Sequence, residues 1–304
     1  MSVINTNVSA LNAQSALTVN SRNMGVAMQQ LSTGSRINSA KDDAAGLAIG
    51  QNMTSQIRGL NQAVRNANDG ISMLQTADGA LVETSNMLQR MRELSVQSAN
   101  GTLSDVQRGY LNTEFTNLST QIGKIATETV WNGKQILAAS TSSGNTVTHA
   151  SVSSVAADVS SSVIAVASAL AYSTYDTYTF QTGQSASQTI EVSILAMDAT
   201  ALAVPTGIAT RSDASSALAT LDSSLAAVNS QRATIGAVTN RLTYAADNMA
   251  NISTNISASR SRIMDTDYAQ ATSQLAKTQI IQQAATAMLA QANQQPQSVL
   301  ALLK

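Results

Sequence analysis

Leu221, Val228, Ile235, Leu242, Met249, Ile256 and Ile263 recur at intervals of seven without a miss. A repeat sustained this long keeps one apolar seam facing a partner helix, so it predicts coiled packing rather than an ordinary amphipathic core helix. Extended as a helix at about 1.5 Å per residue, this stretch would span roughly 65 Å. Its companion row is weaker, with Leu225 and Val238 giving way to Arg232, Thr239 and Ala246. The N-terminal half repeats the theme: Ile57, Val64 and Ile71 alternate with Leu60, Ala67, Leu74, Leu81 and Leu88 at three-and-four spacing. Asn100-Gly101-Thr102 reads as a helix stop with a glycine just past the end. A further helix is predicted from about Ser104 to Glu128, with Val106, Tyr110, Leu111, Leu118, Ile122 and Ile125 on one side.

The period then changes. Val130-Trp131-Asn132-Gly133-Lys134-Gln135-Ile136-Leu137 sets an Asn-Gly pair between apolar runs, the strongest short hairpin signal. Tyr178–Thr182 and Thr189–Ile194 alternate as strands do. Tyr172, Tyr175, Tyr178 and Phe180 bring rings to a region with no basic residue between Lys134 and Arg211. Ser, Thr, Ala and Val dominate there, and about 70 residues suffice for a small β-containing unit with a modest core. Two long helical arms thus flank a central insert, 141–210, whose exposed hydroxyls are candidate glycan sites.

Composition narrows the function. The chain has 304 residues, 43% hydrophobic and only 3% aromatic, with Lys+Arg 17 against Asp+Glu 18, so the net charge is −1. Apolar area drawn from aliphatic side chains rather than rings suits long helices packed closely. A balanced charge gives no basic patch for nucleic acid. No Cys means no disulfide framework and no thiol nucleophile. The only His, His149, is followed by Ala150-Ser151-Val152, so a two-His zinc helix is excluded. Neither a phosphate-binding GxxxxGK[ST] loop nor a GxSxG elbow occurs. The expectation is a chain that is not an enzyme, with no cofactor and no metal. No apolar run reaches the ~18 residues of a membrane span, and Met1–Asn7 has neither the basic nor the apolar region of a signal peptide.

Both ends are nearly uncharged. Val3, Ile4, Val8, Leu11, Leu17 and Val19 lie among Asn, Ser, Thr and Gln; Ile280, Ile281, Met288, Leu289, Val299, Leu300, Leu302 and Leu303 lie among Ala and Gln. Short helices with such stripes are marginal alone and must bury them elsewhere. Pairing of the two ends, then packing against further copies, is the expected solution. Between Leu31 and Gly50 the chain has the grammar of a loop feeding a helix, with Ser39 as cap and Asp42 and Asp43 in the first turn. Neither Asp42-Asp43 nor Asp265-Thr266-Asp267 has calcium-loop spacing, so these acids are expected to be caps or surface charges.

These segments carry a resemblance. Leu31-Ser-Thr-Gly-Ser-Arg-Ile-Asn-Ser-Ala-Lys-Asp-Asp-Ala-Ala-Gly46, Asn5–Gln14 and Leu88–Gly101 resemble the N-terminal part of bacterial flagellin. Asn251–Ile263, Asp265–Ala269 and Gln291–Pro296 are similar to its C-terminal part. The likeness covers roughly 1–140 and 211–304, departing at Trp131, where Phe is usual before Asn-Gly.

The resemblance implies a mainly α fold with long coiled-coil-like helical arms from both termini. They would form an inner terminal coiled-coil domain (1–40 and 270–304) and a helical middle domain with a β-hairpin (41–140 and 211–269). A variable, surface-exposed outer domain with β content (141–210) completes it. It implies a structural subunit that self-assembles into the helical filament of the flagellum for swimming motility. Such a subunit is secreted through the flagellar channel without a cleaved signal peptide. Implied partners are further copies, filament-cap and hook-junction proteins, an export chaperone at the C-terminal segment, and host flagellin receptors; neither nucleic acid nor membrane insertion is implied. The family's receptor-activating stretch maps onto Gln89, Arg90, Glu93, Leu94 and Gln97, with Glu114 in the next helix, on a face that also serves protofilament contact. Residues 29–50 resemble the segment sensed by a plant receptor, with Gln30 in place of the usual Arg. The alternative within the same class is a hook–filament junction protein.

Overall fold

The computed structural model describes residues 7–138 and 175–302. Among these residues five helices dominate: α1 (Val8–Thr33), α2 (Ala44–Ser98), α3 (Asp105–Glu128), α4 (Arg211–Met264) and α5 (Tyr268–Leu302). Two antiparallel hairpins lie between α3 and α4: β1 (Val130–Trp131) with β2 (Lys134–Gln135), and β3 (Tyr175–Gln181) with β4 (Thr189–Leu195). The chain divides into two compact units, one of 1–58 with 252–304 and one of 59–251. This division falls inside α2 and α4, whereas the boundaries expected at 40/41 and 269/270 lie in the turn before α2 and in the first turn of α5.

The terminal unit is a pair of antiparallel helices. The Asn7 side-chain amide donates to the Ala292 carbonyl at 2.7 Å, and that of Asn20 to the Thr278 carbonyl at 2.8 Å. Gly34 ends α1 in the left-handed region, φ 69°, which a residue with a Cβ adopts only at a cost. From there the two arms are stitched together. The Arg36 N–H donates to the Met264 carbonyl at 2.6 Å and its guanidinium to that of Ile263 at 2.7 Å, while the Thr266 N–H donates to Gly34 at 3.0 Å.

Ser39 does not cap α2. Its hydroxyl and N–H donate to the Asp42 carboxylate, closing a turn, and Asp43 takes the cap, accepting from the Gly46 N–H at 2.9 Å. The Ser39 hydrogen bond, more than any other influence, holds the Asp42 carboxyl below its usual range. Asp267 caps α5 in the same way, accepting from Ala269 and Gln270.

The middle unit holds the large core. Leu60, Ala67, Leu74, Leu81 and Leu88 of α2 are buried, with Ala63, Gly70, Ala77, Thr84 and Met91 as their companion row. Ile57, Val64 and Ile71 are only half-buried. From α4, Leu221, Val228, Ile235, Leu242 and Met249 are all buried, no more than 4% exposed. Ion pairs Arg92–Asp222 at 2.6 Å and Arg232–Asp78 at 2.8 Å show the two helices running antiparallel here.

On α3 the inward face carries Arg108, Phe115, Ile122 and Ala126; Val106 and Tyr110, expected on the packed side, are exposed. Helix α2 stops at Ser98, and Gly101 is not left-handed. The turn is made by other means: Arg108, almost fully buried, donates to the carbonyls of Ser98, Asn100 and Leu103. One cation thus satisfies three carbonyls in a turn where the backbone ladder has ended.

Asn132 and Gly133 have φ of 50° and 79°, the paired positive values of a type I′ turn, as the Asn-Gly signal predicts. The β3–β4 register pairs Tyr175 with Leu195 and Gln181 with Thr189. Alternation along β4 buries Ile190, Val192 and Ile194. The Phe180 ring lies against Gly70, where a Cβ would stand 2.8 Å from the ring. Residues 175–210, read from composition as part of an outer insert, therefore sit within the middle unit. Residues 139–174 of that insert, including His149 and most of its candidate glycan sites, lie outside the described residues.

Candidate functional site

Two surfaces gather the residues singled out by sequence. The first is the outside of the terminal pair. On α1 the packed or half-packed positions are Ala10, Ala13, Leu17, Asn20, Met24, Ala27 and Leu31; on α5 they are Ala271, Leu275, Thr278, Gln282, Ala285, Leu289 and Ala292. Both rows step by three and four, the spacing of a coiled-coil seam. Small and polar side chains fill most of it, with Asn20 and Thr278 its most buried polar members.

The conspicuous apolar residues mostly point elsewhere. Val8 is 55% exposed, Leu11 56%, Ile280 66% and Met288 66%; Val19, Val26 and Ile281 are exposed as well. At about 100° per residue, Val8, Leu11, Val19 and Val26 share one stripe of α1. Arg22 and Lys277 are the only charged residues within α1 and α5. Such a surface is inexpensive to desolvate and has nothing within the terminal pair to cover it.

The second surface is the Arg90 cluster in the middle unit. The Arg90 guanidinium donates to Glu114 at 2.9 Å and to Glu93 at 3.0 Å, joining α2 to α3. All three side chains are about half exposed or more, and Gln89 and Gln97 are exposed as well. The acids, Glu114 first, raise the Arg90 pKa further. Beside them is an open cleft of about 480 Å³ lined by Tyr110, Thr113, Glu114, Asn117 and Leu118. Leu94 is the correction. It is 1% exposed and belongs to the core, because the seam of α2 passes through Met91 and Leu94 rather than beside them.

The seven-residue row on α4 also resolves in detail. Ile256 and Ile263 are half-buried and fall in the terminal unit, while the first five lie deep in the middle unit. The companion row is offset from the expected one in its first half, while Val238 and Ala246 are buried as expected. Leu225 is half-exposed, and the buried positions are Ala217, Ser224, Gln231 and Val238.

Polar residues are buried there because the chain opposite offers backbone partners. The Ser224 hydroxyl donates to the Leu202 carbonyl at 2.7 Å. The Gln231 amide donates to the Ser193 carbonyl at 3.1 Å and accepts from the Leu195 N–H at 3.5 Å, so one side chain acts as a missing strand beside β4. Sequence reasoning missed Gln231, Arg108 and Asn20. For Asn20 and Gln231 the available signal was a polar residue at a seam position.

Buried α2 and α4 seams, a stitched helical terminus and an uncharged apolar exterior define a class: a long-helix structural protein built for self-association. No helix among the described residues is long and apolar enough to cross a membrane. The comparisons make the class specific. Residues 4–142 match the family described as bacterial flagellin N-terminal helical region, and residues 218–303 match bacterial flagellin C-terminal helical region. The chain is 39% identical to a flagellin of Halalkalibacterium halodurans, covering 99% of this chain and 100% of that one. It is 37% identical to flagellin B of Vibrio anguillarum over 99% of each. A putative flagellar hook-associated protein from Vibrio parahaemolyticus shares the fold at TM-score 0.56 and 16% identity, over 74% of this chain and 100% of that one. The chain belongs to the bacterial flagellin family, and with it to the structural subunits of the extracellular flagellar filament.

Proposed function

We propose that the terminal pair is the assembly element, packing its outward apolar stripes against copies of itself in an inner tube. The middle unit then serves as the rigid body that sets spacing, and Ser and Thr within 141–210 carry glycans in hosts that make them. The observation that carries this is the orientation of Val8, Leu11, Val19, Ile280, Ile281 and Met288 away from their own partner helix.

Export is proposed to run through the flagellar channel, with a chaperone covering the C-terminal segment until assembly beneath the filament cap. Purified monomer added to short filament seeds tests the reading by electron microscopy. Long tubes growing from the seeds support it. A chain that only blocks the seed ends is instead a hook–filament junction protein. Deletion of either terminal segment is expected to abolish growth.

We further infer that released monomer presents Gln89, Arg90, Glu93, Gln97 and Glu114 to the host Toll-like receptor for flagellin, and residues 29–50 to a plant receptor. The Arg90 fork held between two carboxylates is a preformed polar patch, so little side-chain entropy is lost on contact. Replacing Arg90 by Ala is expected to weaken activation at a cost on the order of 1–3 kcal/mol. Unchanged activation by a folded Arg90→Ala, Glu114→Ala double variant would leave the patch structural only.

A further inference from the structure

We propose that Met288 is an oxidation-sensitive control point on polymerisation, a modification site that rests on the assembly reading above. The methionines span a range of access, with Met24, Met53, Met87 and Met264 half-buried between two extremes. Met73, Met91, Met197 and Met249 are at most 4% exposed, whereas Met288 is 66% and Met28 55% exposed. A thioether is oxidised where an oxidant can reach it, so the monomer offers Met288 and Met28 first.

The two exposed sites are not equivalent. At about 100° per residue, Ile281, Ala284 and Met288 fall within about 60° of arc on α5, an apolar patch whose arc also carries Lys277 about three turns before Met288. Met28 lies about 200° around α1 from Val26, on the far side from the Val8–Val26 stripe. Register adds a second reason. With Asn7 bonded to Ala292 and Asn20 to Thr278, Met288 lies level with Leu11, itself 56% exposed. The two side chains mark one apolar level of the helix pair, and a second copy is the partner whose apolar stripe would cover it.

The chemistry requires a hydroperoxide as co-reactant. The sulfur lone pair attacks one oxygen of hydrogen peroxide, an S–O bond forms as the O–O bond breaks, and the second oxygen leaves as water after taking up the proton of the attacked oxygen. Sulfur is oxidised by two electrons and the peroxide reduced by two. The product sulfoxide is polar and demands a hydrogen-bond donor, which an Ile–Ala–Met stripe lacks. Burying it between copies leaves that acceptor unpaired. Within the monomer it stays in water, so the fold is undisturbed.

The test uses full-length monomer treated with dilute hydrogen peroxide, mapped by peptide mass spectrometry and then offered to filament seeds. Met288 and Met28 are expected to oxidise first and the four buried methionines last. Oxidised wild type is expected to elongate roughly tenfold or more slowly, tenfold being about 1.4 kcal/mol. Met288→Leu should elongate equally before and after peroxide, and Met28→Leu should remain sensitive. Methionine sulfoxide reductase should restore the oxidised wild type, a check independent of how the leucine variant assembles. Reactivity of Met288 no greater than that of Met91, or a Met288→Leu chain slowed by peroxide as much as wild type, overturns the proposal. Untreated wild type that never elongates overturns the assembly reading itself and this proposal with it.

Discussion

The terminal pair and the middle unit use the same seven-residue grammar with opposite assignments. In the middle unit the large side chains occupy the seam: Leu74, Leu81, Leu88, Leu221, Val228 and Leu242 are fully buried. In the terminal pair Ala and the polar Asn20, Thr278 and Gln282 outnumber the large apolar side chains in the seam, and most large aliphatics face out. A seam of small residues buries little apolar area, so the pair gains little from folding alone. The middle unit buries its large side chains within one chain. The terminal pair has its main hydrophobic stabilisation deferred to contact with other copies.

Matched truncations test that contrast most strongly. Leu94→Ala is expected to destabilise the monomer by about 2–5 kcal/mol, because a core cavity remains. Leu11→Ala, at an exposed position, should change monomer stability by no more than ~0.5 kcal/mol while slowing filament growth. Urea unfolding of each variant, alongside seeded elongation, separates the two effects. Equal destabilisation by both would erase the distinction. The Leu94 result also bears on receptor activation, because a loss of activation by this variant has to be compared with its loss of stability.

Next in size is Arg108→Ala, which leaves the carbonyls of Ser98, Asn100 and Leu103 without their shared donor. A cost of roughly 2–3 kcal/mol is expected, read as a lower urea midpoint at unchanged slope. Gln231→Ala should cost about 1–2 kcal/mol, since a Ser193 carbonyl and a Leu195 N–H lose their partner. Hydrogen exchange should rise along β4 before it rises in α2. The smallest effect has the opposite sign. Ala203 is exposed and left-handed at φ 51°, so Ala203→Gly should stabilise the middle unit by about 0.5–1 kcal/mol in thermal unfolding.

What the sequence discloses is set by how local the cause is. The type I′ hairpin follows from two adjacent residues, Asn132 and Gly133, and the α4 seam from one repeated spacing. The strands β3 and β4 follow from alternation alone. Ser39 was expected to cap because Ser precedes two acids, yet Asp43 is nearer the helix and binds its N–H groups directly. Leu225 was expected in the seam because it is apolar. The position is set instead by Ser224 and Gln231, whose hydrogen-bond partners at 202, 193 and 195 are remote in sequence. The same holds for Arg108 at the end of α2 and for Asn20 facing Thr278. Leu94 shows the converse error: helical spacing from Arg90 suggests a shared face, but only packing decides that Leu94 turns inward. For the terminal stripes, composition shows apolar side chains without charges, and the structure adds which of them stay exposed.

The most direct test is amide hydrogen exchange of free monomer and of seeded filament, followed by mass spectrometry across the whole chain. The expected result is slow exchange in the core segments of 59–251 in both states. Residues 8–33 and 268–302 should exchange rapidly in the monomer and become protected in the filament. Terminal helices as protected in the monomer as in the polymer would contradict the account, because their stability would then owe nothing to other copies.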